Sequence, residues 1–339
     1  MINLGFISTA HVHFKNFSNQ IAGMDGVQIS HVWDDDAARG ATNAAAVGAR
    51  FVDDLQAICA TGTIDGFVIC APNNQRLSLL RPAIASGKPI MCEKPLSLTV
   101  AESREIKDLL AQNQTSLSTG YFRLGYGGYL KARALVRDGA LGKITHINHV
   151  NKLNAALVNH FDDPTVQWFV DPAVSGGGGM VDLGTHSVNL LSWFMGGADE
   201  VLAVAANLSG NYSHIDDYGV IHIRFKNGVF GNVEAGWIAE GGINTLSVFG
   251  HDGCVIGTKD DYSPTDHELR HYTGRYDYKL IEPGANRPMR IDRLIAQIKG
   301  EVSDVDLAEE LDAAFASVSI MEAALKSSAQ GGWRPVEDV

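Results

Sequence analysis

The sequence predicts an α/β fold in two parts: a doubly wound parallel sheet over residues 1–120, then an α+β domain over 121–339 built on a large, mostly antiparallel open sheet. Three observations predict it. Short apolar runs alternate with helix-length segments through the first third, the rhythm of βαβ units. From Tyr121 onward the pattern becomes a succession of strand-like runs. A chain of 339 residues also exceeds a single core at ~150 residues per domain.

Taken in order, Ile2–Ile7 is a first strand, Ser8, Thr9 and Ala10 a small-residue turn, and Phe14–Ile21 a helix. Val27–Trp33 is a second strand that ends in Asp34, Asp35 and Asp36. An Ala-rich helix (Ala37–Gly48), a lone strand residue (Phe51) and a helix at Leu55–Ala60 follow. Gly66–Ala71 is a continuous apolar run, as expected of a strand buried on both faces. Leu77–Ala85 reads as a helix closed by Gly87, Pro89–Cys92 as a strand, Ala101–Gln112 as a helix and Ser116–Thr119 as the last strand.

A doubly wound sheet binds ligands at the carboxyl ends of its strands. The first such end is S-T-A-H-V-H, Ser8 to His13, where a dinucleotide fold places G-x-G-x-x-G; none of the three glycines is present. Ser and Ala are small enough for a backbone to approach a pyrophosphate, and a helix N-terminus supplies N–H donors and a positive dipole end. His11 and His13 read either as pocket residues or as ordinary turn residues. Asp34 stands where a carboxylate accepts both hydroxyls of an adenine ribose and repels a 2′-phosphate. With Asp35 and Asp36 beside it and no arginine before Arg39, NAD is expected rather than NADP. Lys94, in Cys92-Glu93-Lys94-Pro95, follows a strand directly and so lies at the sheet edge. There an ammonium can hold a substrate hydroxyl and offset developing negative charge.

In the second part, Gly128–Asp138 is an amphipathic helix closed by Gly139, and Ile144–Asn151 alternates as a strand. Residues 159–171 form an aromatic and polar loop suited to wall a sugar pocket. Trp168 offers a stacking face or else a core residue, and Asn154, Asn159 and His160 offer hydrogen bonds. Gly176, Gly177, Gly178 and Gly179 give a flexible entry to a helix on which Asp182, His186, Asn189 and Trp193 share one face. A carboxylate one turn before an imidazole fixes its tautomer and makes it a proton acceptor, or is simply a helical hydrogen-bonded pair. Gly184 between them, where Ala would be preferred by roughly 1 kcal/mol, leaves room for a ligand ring near the backbone.

Strand-like segments follow at Val201–Asn207, Tyr218–Phe225, Val229–Trp237, Thr245–Gly250 and Cys254–Thr258, with a hairpin turn at Asn227-Gly228. The outer face of their sheet is expected to pair copies of the chain as a homodimer or homotetramer. Asp260–Arg275 reads as a polar loop. His267 and His271 flank Glu268 there without the apolar spacing of a zinc-binding helix, so no metal is expected. Arg290–Gly300 and Leu307–Gln330 close the chain as helices.

Composition narrows the function. There are 27 basic and 39 acidic residues, a net charge of −12, so no basic excess exists to neutralise nucleic-acid phosphates. No run reaches ~18 apolar residues, so no membrane span is expected. Cys59, Cys70, Cys92 and Cys254 show no C-x-x-C spacing and read as reduced cysteines of a cytoplasmic protein.

Five segments carry a resemblance: Ala71-Pro72-Asn73, SGKPIMCEKP (Ser86 to Pro95), Gly120-Tyr121-Phe122-Arg123, RDGALGKI (Arg137 to Ile144) and GGGMVDLGTHSVNLLSWFMG (Gly177 to Gly196). The chain resembles, from end to end, the Gfo/Idh/MocA family of NAD(P)-dependent sugar and polyol oxidoreductases. The resemblance implies a Rossmann-type first domain and a catalytic set of Lys94, Asp182 and His186. His186 would take the carbinol proton, Asp182 would orient and stabilise its imidazole, and Lys94 would position the hydroxyl. Cofactor contacts are expected from Ser8, Thr9, Ala10, His11, Asp34, Asp35, Ala71, Pro72, Asn73, Glu93 and Lys94, and substrate contacts from Arg123, His160, Trp168 and Asn189. Three departures stand out: the absent glycines, Arg76 where the family often has His, and Asn189 where Asp is frequent. Two other readings stay open. One is a ligand sensor on the same fold; the other is a reductase or lyase with hydride held transiently on a retained cofactor.

Overall fold

The computed structural model describes residues 1–260 and 267–339. Its first domain runs β1 (Ile2–Ile7), α1 (His13–Ala22), β2 (Val27–Trp33), α2 (Ala37–Ala46), β3 (Arg50–Phe51), α3 (Leu55–Cys59), β4 (Gly66–Ile69), α4 (Arg76–Ala85), β5 (Ile90–Cys92), α5 (Val100–Asn113) and β6 (Leu117–Thr119). The six strands are parallel in the order β3-β2-β1-β4-β5-β6, a Rossmann sheet with its crevice between β1 and β4. Every residue of β4 and β5 is buried, which is why those runs are apolar without alternation. α1 places Phe14, Phe17 and Ile21 on one face against the sheet. Side-chain caps fix three helix starts: Asp36 for α2, Asp54 for α3, and the Thr99–Glu102 capping box for α5.

The second domain continues with α6 (Gly127–Arg137), β7 (Ile144–Lys152), α7 (Pro172–Ser175), α8 (Gly179–Met195), β8 (Ala198–Ala206), β9 (Tyr218–Phe225), β10 (Phe230–Gly236), β11 (Ile243–Gly250), β12 (Cys254–Asp260), β13 (His267–Tyr272), β14 (Tyr278–Ile281), α9 (Ile291–Ile298), α10 (Asp304–Gln330) and β15 (Arg334–Pro335). Its sheet has the order β14-β13-β12-β11-β7-β10-β9-β8-β15 and is antiparallel except for the β7–β10 pair. α8 and α10 cover one face, and residues such as Met180, Val188, Ile221 and Val233 fill the space between helix and sheet. The opposite face carries a polar row in which His222, Asn232, Asn148 and Ser247 are hydrogen-bonded in turn across β9, β10, β7 and β11. Exposed Val204 and Phe230 flank that row. No helix of the described residues is long and apolar enough to cross a membrane.

One expectation needs correction, and two further features had no signal in the sequence. The segment 260–275 was expected to be a loop, but its described part contains β13; Leu269 is its single inward apolar residue, too little periodicity to signal a strand. Residues 261–266 of that segment lie outside the described residues. β14 and β15 went unforeseen for a related reason: they are short edge strands whose pairing, not composition, defines them. Finally, α9 lies within 121–339 yet inserts Ile291, Leu294 and Ile295 into the core beneath β1 and α1, so the chain returns to the first domain before it ends.

Candidate active site

The carboxyl ends of β1 and β5 face α8 across a cavity lined by residues of both domains, among them His11, Lys94, Phe122, Asp182 and His186. α8 is held there by its glycine-rich start. A Cβ on Gly178 would lie 1.8 Å from the Asp216 carbonyl oxygen, and one on Gly179 2.7 Å from that of Asp217. The Asp216 carboxylate accepts the Gly178 and Met180 N–H groups, satisfying orphan donors of the helix N-terminus. The glycines therefore make a close, anchored junction, not the flexible entry expected. Gly184 is likewise a packing residue: its open side meets Ala235 at 3.5 Å and Ile221 at 3.9 Å, on the sheet and not in the cavity.

Lys94, directly after β5, donates from Nζ to Asp182 Oδ1 at 2.7 Å and to the Asp182 main-chain oxygen at 3.1 Å. Asp182 Oδ2 accepts Trp237 Nε1–H at 2.9 Å. Asp182 thus does not orient His186; its two oxygens are taken by an ammonium and an indole. The i, i+4 spacing put both side chains on one face, but it cannot say which neighbour from another element arrives first. His186 is buried, and its Nδ1 has no hydrogen-bond partner. Its ring is held edge-on by Tyr121 and Phe122, at centroid distances of 5.7 and 5.1 Å. Burial, and then the Lys94 ammonium, hold the imidazole well below its ordinary pKa, so it stays neutral with a free lone pair.

On the first-domain side, Ser8 stands at the first glycine position with φ 65°, the left-handed conformation that the glycine would have supplied. The turn therefore has a left-handed residue at that position without a glycine. Thr9 turns its hydroxyl onto Asp34 at 2.6 Å. Asp34 is buried and its carboxylate is already filled, by the Thr9 and Asp36 N–H groups, the Thr9 hydroxyl and the Arg39 guanidinium. Asp35 accepts from Arg39 at 2.6 Å and from Gln75 at 2.9 Å. The carboxylate expected to accept both ribose hydroxyls is thus also engaged by Arg39, a contact that local sequence did not place. Burial pushes the Asp34 carboxyl up, but the hydrogen bonds from Arg39 and Thr9 outweigh it and hold the pKa down.

Ala71 is buried, and its carbonyl accepts from Arg76 at 3.1 Å; the same fully buried guanidinium also reaches the Pro95 carbonyl. Arg76 is a clamp joining the β4 end to the loop that carries Lys94. Buried Asn73, beside Pro72, spends its amide on the Ser175 carbonyl at 2.7 Å, tying the first domain to α7. His11 accepts the His13 N–H on Nδ1 at 3.2 Å, which leaves the proton on a buried Nε2 with no partner. His13 Nδ1 meets Glu93 Oε1 at 2.8 Å, and Glu93 is wholly buried. His11, His13 and Glu93 offer ligand-type atoms within 4.8 Å of one another, a metal-type grouping away from the His267–His271 pair that the sequence drew attention to. As bonded here, His11 presents a donor to the cavity and not a lone pair.

Among the expected substrate contacts, Arg123 and His160 line the cavity; Arg123 is buried and donates to Asn151 Oδ1 at 2.8 Å. Trp168 does not line it. It stacks on Phe169 at 3.9 Å, and Phe169 presents the ring that faces the cavity. Asn189 is buried away from the cavity, and neither its amide nitrogen nor its oxygen has a partner. Its helical face is shared with Asp182, but two turns further on that face has passed beneath the second-domain core. Trp237, Phe122, Lys152 and Arg290 belong to the site and were not foreseen. Phe122 stood in a quoted motif, whereas Arg290 is placed only by the docking of α9, which has no local signal.

Residues 1–121 match the family model described as "Oxidoreductase family, NAD-binding Rossmann fold", and residues 129–256 match "GFO/IDH/MocA C-terminal domain". Inositol 2-dehydrogenase 2 of Saccharopolyspora erythraea is 23% identical over 351 residues, covering 99% of this chain and 96% of that protein. The rhizopine catabolism protein MocA of Rhizobium meliloti is 28% identical over 154 residues; the match spans 45% of each chain, about half the relative's length. Among solved structures, levoglucosan dehydrogenase in complex with NADH and levoglucosan superimposes with a TM-score of 0.81 at 20% identity, covering 99% of this chain and 100% of that one.

Proposed function

The chain belongs to the Gfo/Idh/MocA oxidoreductase family, with an NAD-binding Rossmann domain, and from that premise we propose that it is an NAD-dependent dehydrogenase acting on a secondary alcohol of a sugar, inositol or related polyol. One observation carries the reading: a neutral, buried His186 and a Lys94 ammonium from the other domain line the same cavity beside the β1 turn.

The residues present suit a dinucleotide. The Ser8 turn and the start of α1 would receive the pyrophosphate, and Glu93 and Lys94 lie at the edge where the nicotinamide end belongs. When bound, the nicotinamide supplies the hydride acceptor or donor. The rest falls to the chain. Lys94 holds the substrate hydroxyl and stabilises the oxygen as it loses its proton. His186 accepts that proton, which its depressed pKa permits at neutral pH. Asp182 and Trp237 fix the ammonium in place. Phe161, Phe169 and Phe122 give the cavity apolar walls that exclude water around these groups. In this reading the open sheet face joins copies as a homodimer or homotetramer, which sedimentation analysis tests.

The deciding experiment follows cofactor absorbance over a panel of sugars, inositols and keto-sugars with NAD and NADP. Turnover of a polyol with NAD, lost in His186→Ala, is the expected outcome. No turnover, together with no calorimetric binding of either dinucleotide, overturns the reading in favour of a sensor.

A further inference from the structure

The cavity beside His186 is rich in cations although the whole chain carries a net charge of −12. Lys94, Lys152, Arg123 and Arg290 line it, against one acidic lining residue, Asp182. Three of these cations have described partners: Lys94 meets Asp182, Lys152 meets Glu234 at 2.8 Å, and Arg123 donates to Asn151. Arg290 differs. It makes no ion pair with any described residue, and its Nε has no hydrogen-bond partner.

The Arg290 Nε is out of water without an acceptor, and the charge acting most on the guanidinium is the buried Glu93 carboxylate, which His13 already engages. An unsatisfied buried donor is costly, and its backbone adds to the cost. Arg290 adopts φ 52° and ψ −114°, in the half of conformational space that residues with a Cβ avoid. Burial also weakens its hold on its proton. Such a combination persists where the surrounding structure imposes it and a ligand compensates it. The docking of α9 imposes it here, since Ile291 is wholly buried against the first domain.

The neighbours say where a ligand's anionic group would meet Arg290. The Arg290 guanidinium lies 4.2 Å from the Phe122 ring centroid and that of Arg123 lies 5.1 Å from the same centroid. The His186 ring meets Phe122 edge-on at 5.1 Å. Both guanidiniums and the proposed base thus pack on one phenyl ring, and the charges of Arg123 and Arg290 both act on His186. We propose that the substrate is acidic: a sugar or polyol bearing a carboxylate or phosphate group that Arg290 grips, beside Arg123, while a carbinol of the same molecule meets His186 and Lys94. This rests on the dehydrogenase reading for the carbinol, but not for the anion site.

The test compares wild type, Arg290→Ala and Arg290→Lys, each loaded with NADH or NAD. Binding of D-glucuronate, D-gluconate, D-glucose 6-phosphate and neutral D-glucose is measured by calorimetry, and turnover of each by cofactor absorbance. Thermal melting checks that the variants fold. The expected result is that an acidic ligand is preferred over glucose, with the carboxylate and phosphate arms separating the two chemistries. Arg290→Ala cuts that preference roughly 10- to 100-fold through binding and KM, the scale of a charge-assisted hydrogen bond, and Lys partly restores it. Acid binding without turnover upholds the anion site while the dehydrogenase reading fails. Turnover of neutral polyols with no preference for acids overturns the anion site and leaves the dehydrogenase standing. Arg290→Ala weakening NADH and not the acid also overturns it, because the guanidinium, which lies 5.7 Å from the Phe17 ring on α1, would then serve the dinucleotide's phosphates.

Discussion

Lys94 and Asp182, supplied by different domains, form a 2.7 Å ion pair in which the ammonium also donates to the Asp182 main-chain oxygen at 3.1 Å. The second bond ties the ammonium to the α8 backbone, so Lys94 is positioned by the helix that carries His186. In the proposed reaction Asp182 would therefore act through Lys94. Lys94→Ala and His186→Ala are each expected to lower kcat by roughly 10²–10⁴-fold, the usual size of an acid–base or charge-stabilising contribution. Asp182→Asn should lower it less, and the Lys94→Ala/Asp182→Asn double variant should be little slower than Lys94→Ala alone. Steady-state kinetics of the four proteins check this; additive losses would show that the two residues act independently.

The pH profile follows from the state of His186. A base must be unprotonated to work, and an ordinary imidazole is half protonated at about pH 6.5. Burial and the Lys94 charge hold this one well below that value. The acid limb of kcat/KM should accordingly fall well below pH 6.5. In Lys94→Ala, with the ammonium gone, the limb should move toward higher pH. An acid limb at or above pH 6.5 in the wild type, or none that responds to Lys94, would assign the base elsewhere.

The sequence and the structure part company at identifiable physical points. Strand and helix order in the first domain was readable because β4 and β5 are buried on both faces and α1 carries a clean apolar stripe. Lys94 and His186 were readable because each sits beside the feature that places it, a strand end and an anchored helix. The partner of Asp182 was not, since Trp237 follows β10, far along the chain. Arg39 on Asp34 escaped for a subtler reason: the i, i+5 contact crosses from strand end to helix and has no periodic signature. Trp168 and Asn189 show the converse. A residue type suited to a ligand lay near the site, but Trp168 spends its faces on Phe169 and His11, which line the cavity in its place, and the helix carries Asn189 beneath the core.

Stability should depend on pH through buried histidines. His11 and His186 are both held well below their ordinary pKa, mainly by burial, so the folded chain leaves them neutral. The unfolded chain protonates them below about pH 6.5 and then binds more protons than the folded one. Stability is therefore expected to fall as pH drops from about 6.5, by up to about 1.4 kcal/mol per pH unit for each histidine. Asp34 adds a separate loss at lower pH: its depressed pKa contributes stability above the ordinary carboxylate range, and that contribution disappears as pH falls through the folded value. Denaturant unfolding between pH 8 and pH 5 measures the slope, and His11→Gln should flatten it. An unchanged slope in that variant would remove His11 from the account.

Trp237 offers the last check, on whether holding Asp182 matters to the chemistry. Its side chain is 1% exposed, and its backbone is fixed on both sides, by the Asp217 carbonyl at 2.8 Å and the Ala156 N–H at 3.0 Å. The indole therefore has little freedom, and its N–H is aimed at Asp182 Oδ2 by packing against Phe161 at 4.4 Å. Trp237→Phe keeps most of that packing and removes the donor. One hydrogen bond to a charged group is worth about 1.5–3 kcal/mol where it is buried, and less where cavity water can replace it. The expected result is a small drop in stability and a fall in kcat of roughly 10-fold, with KM nearly unchanged, because a looser Asp182 lets Lys94 sample positions away from the carbinol. Trp237→Ala instead opens a core cavity at a cost of about 3–5 kcal/mol, so it reports on folding and not on the hydrogen bond. If Trp237→Phe keeps the wild-type kcat while Asp182→Asn does not, the ion pair alone holds Lys94 and the indole is only part of the core.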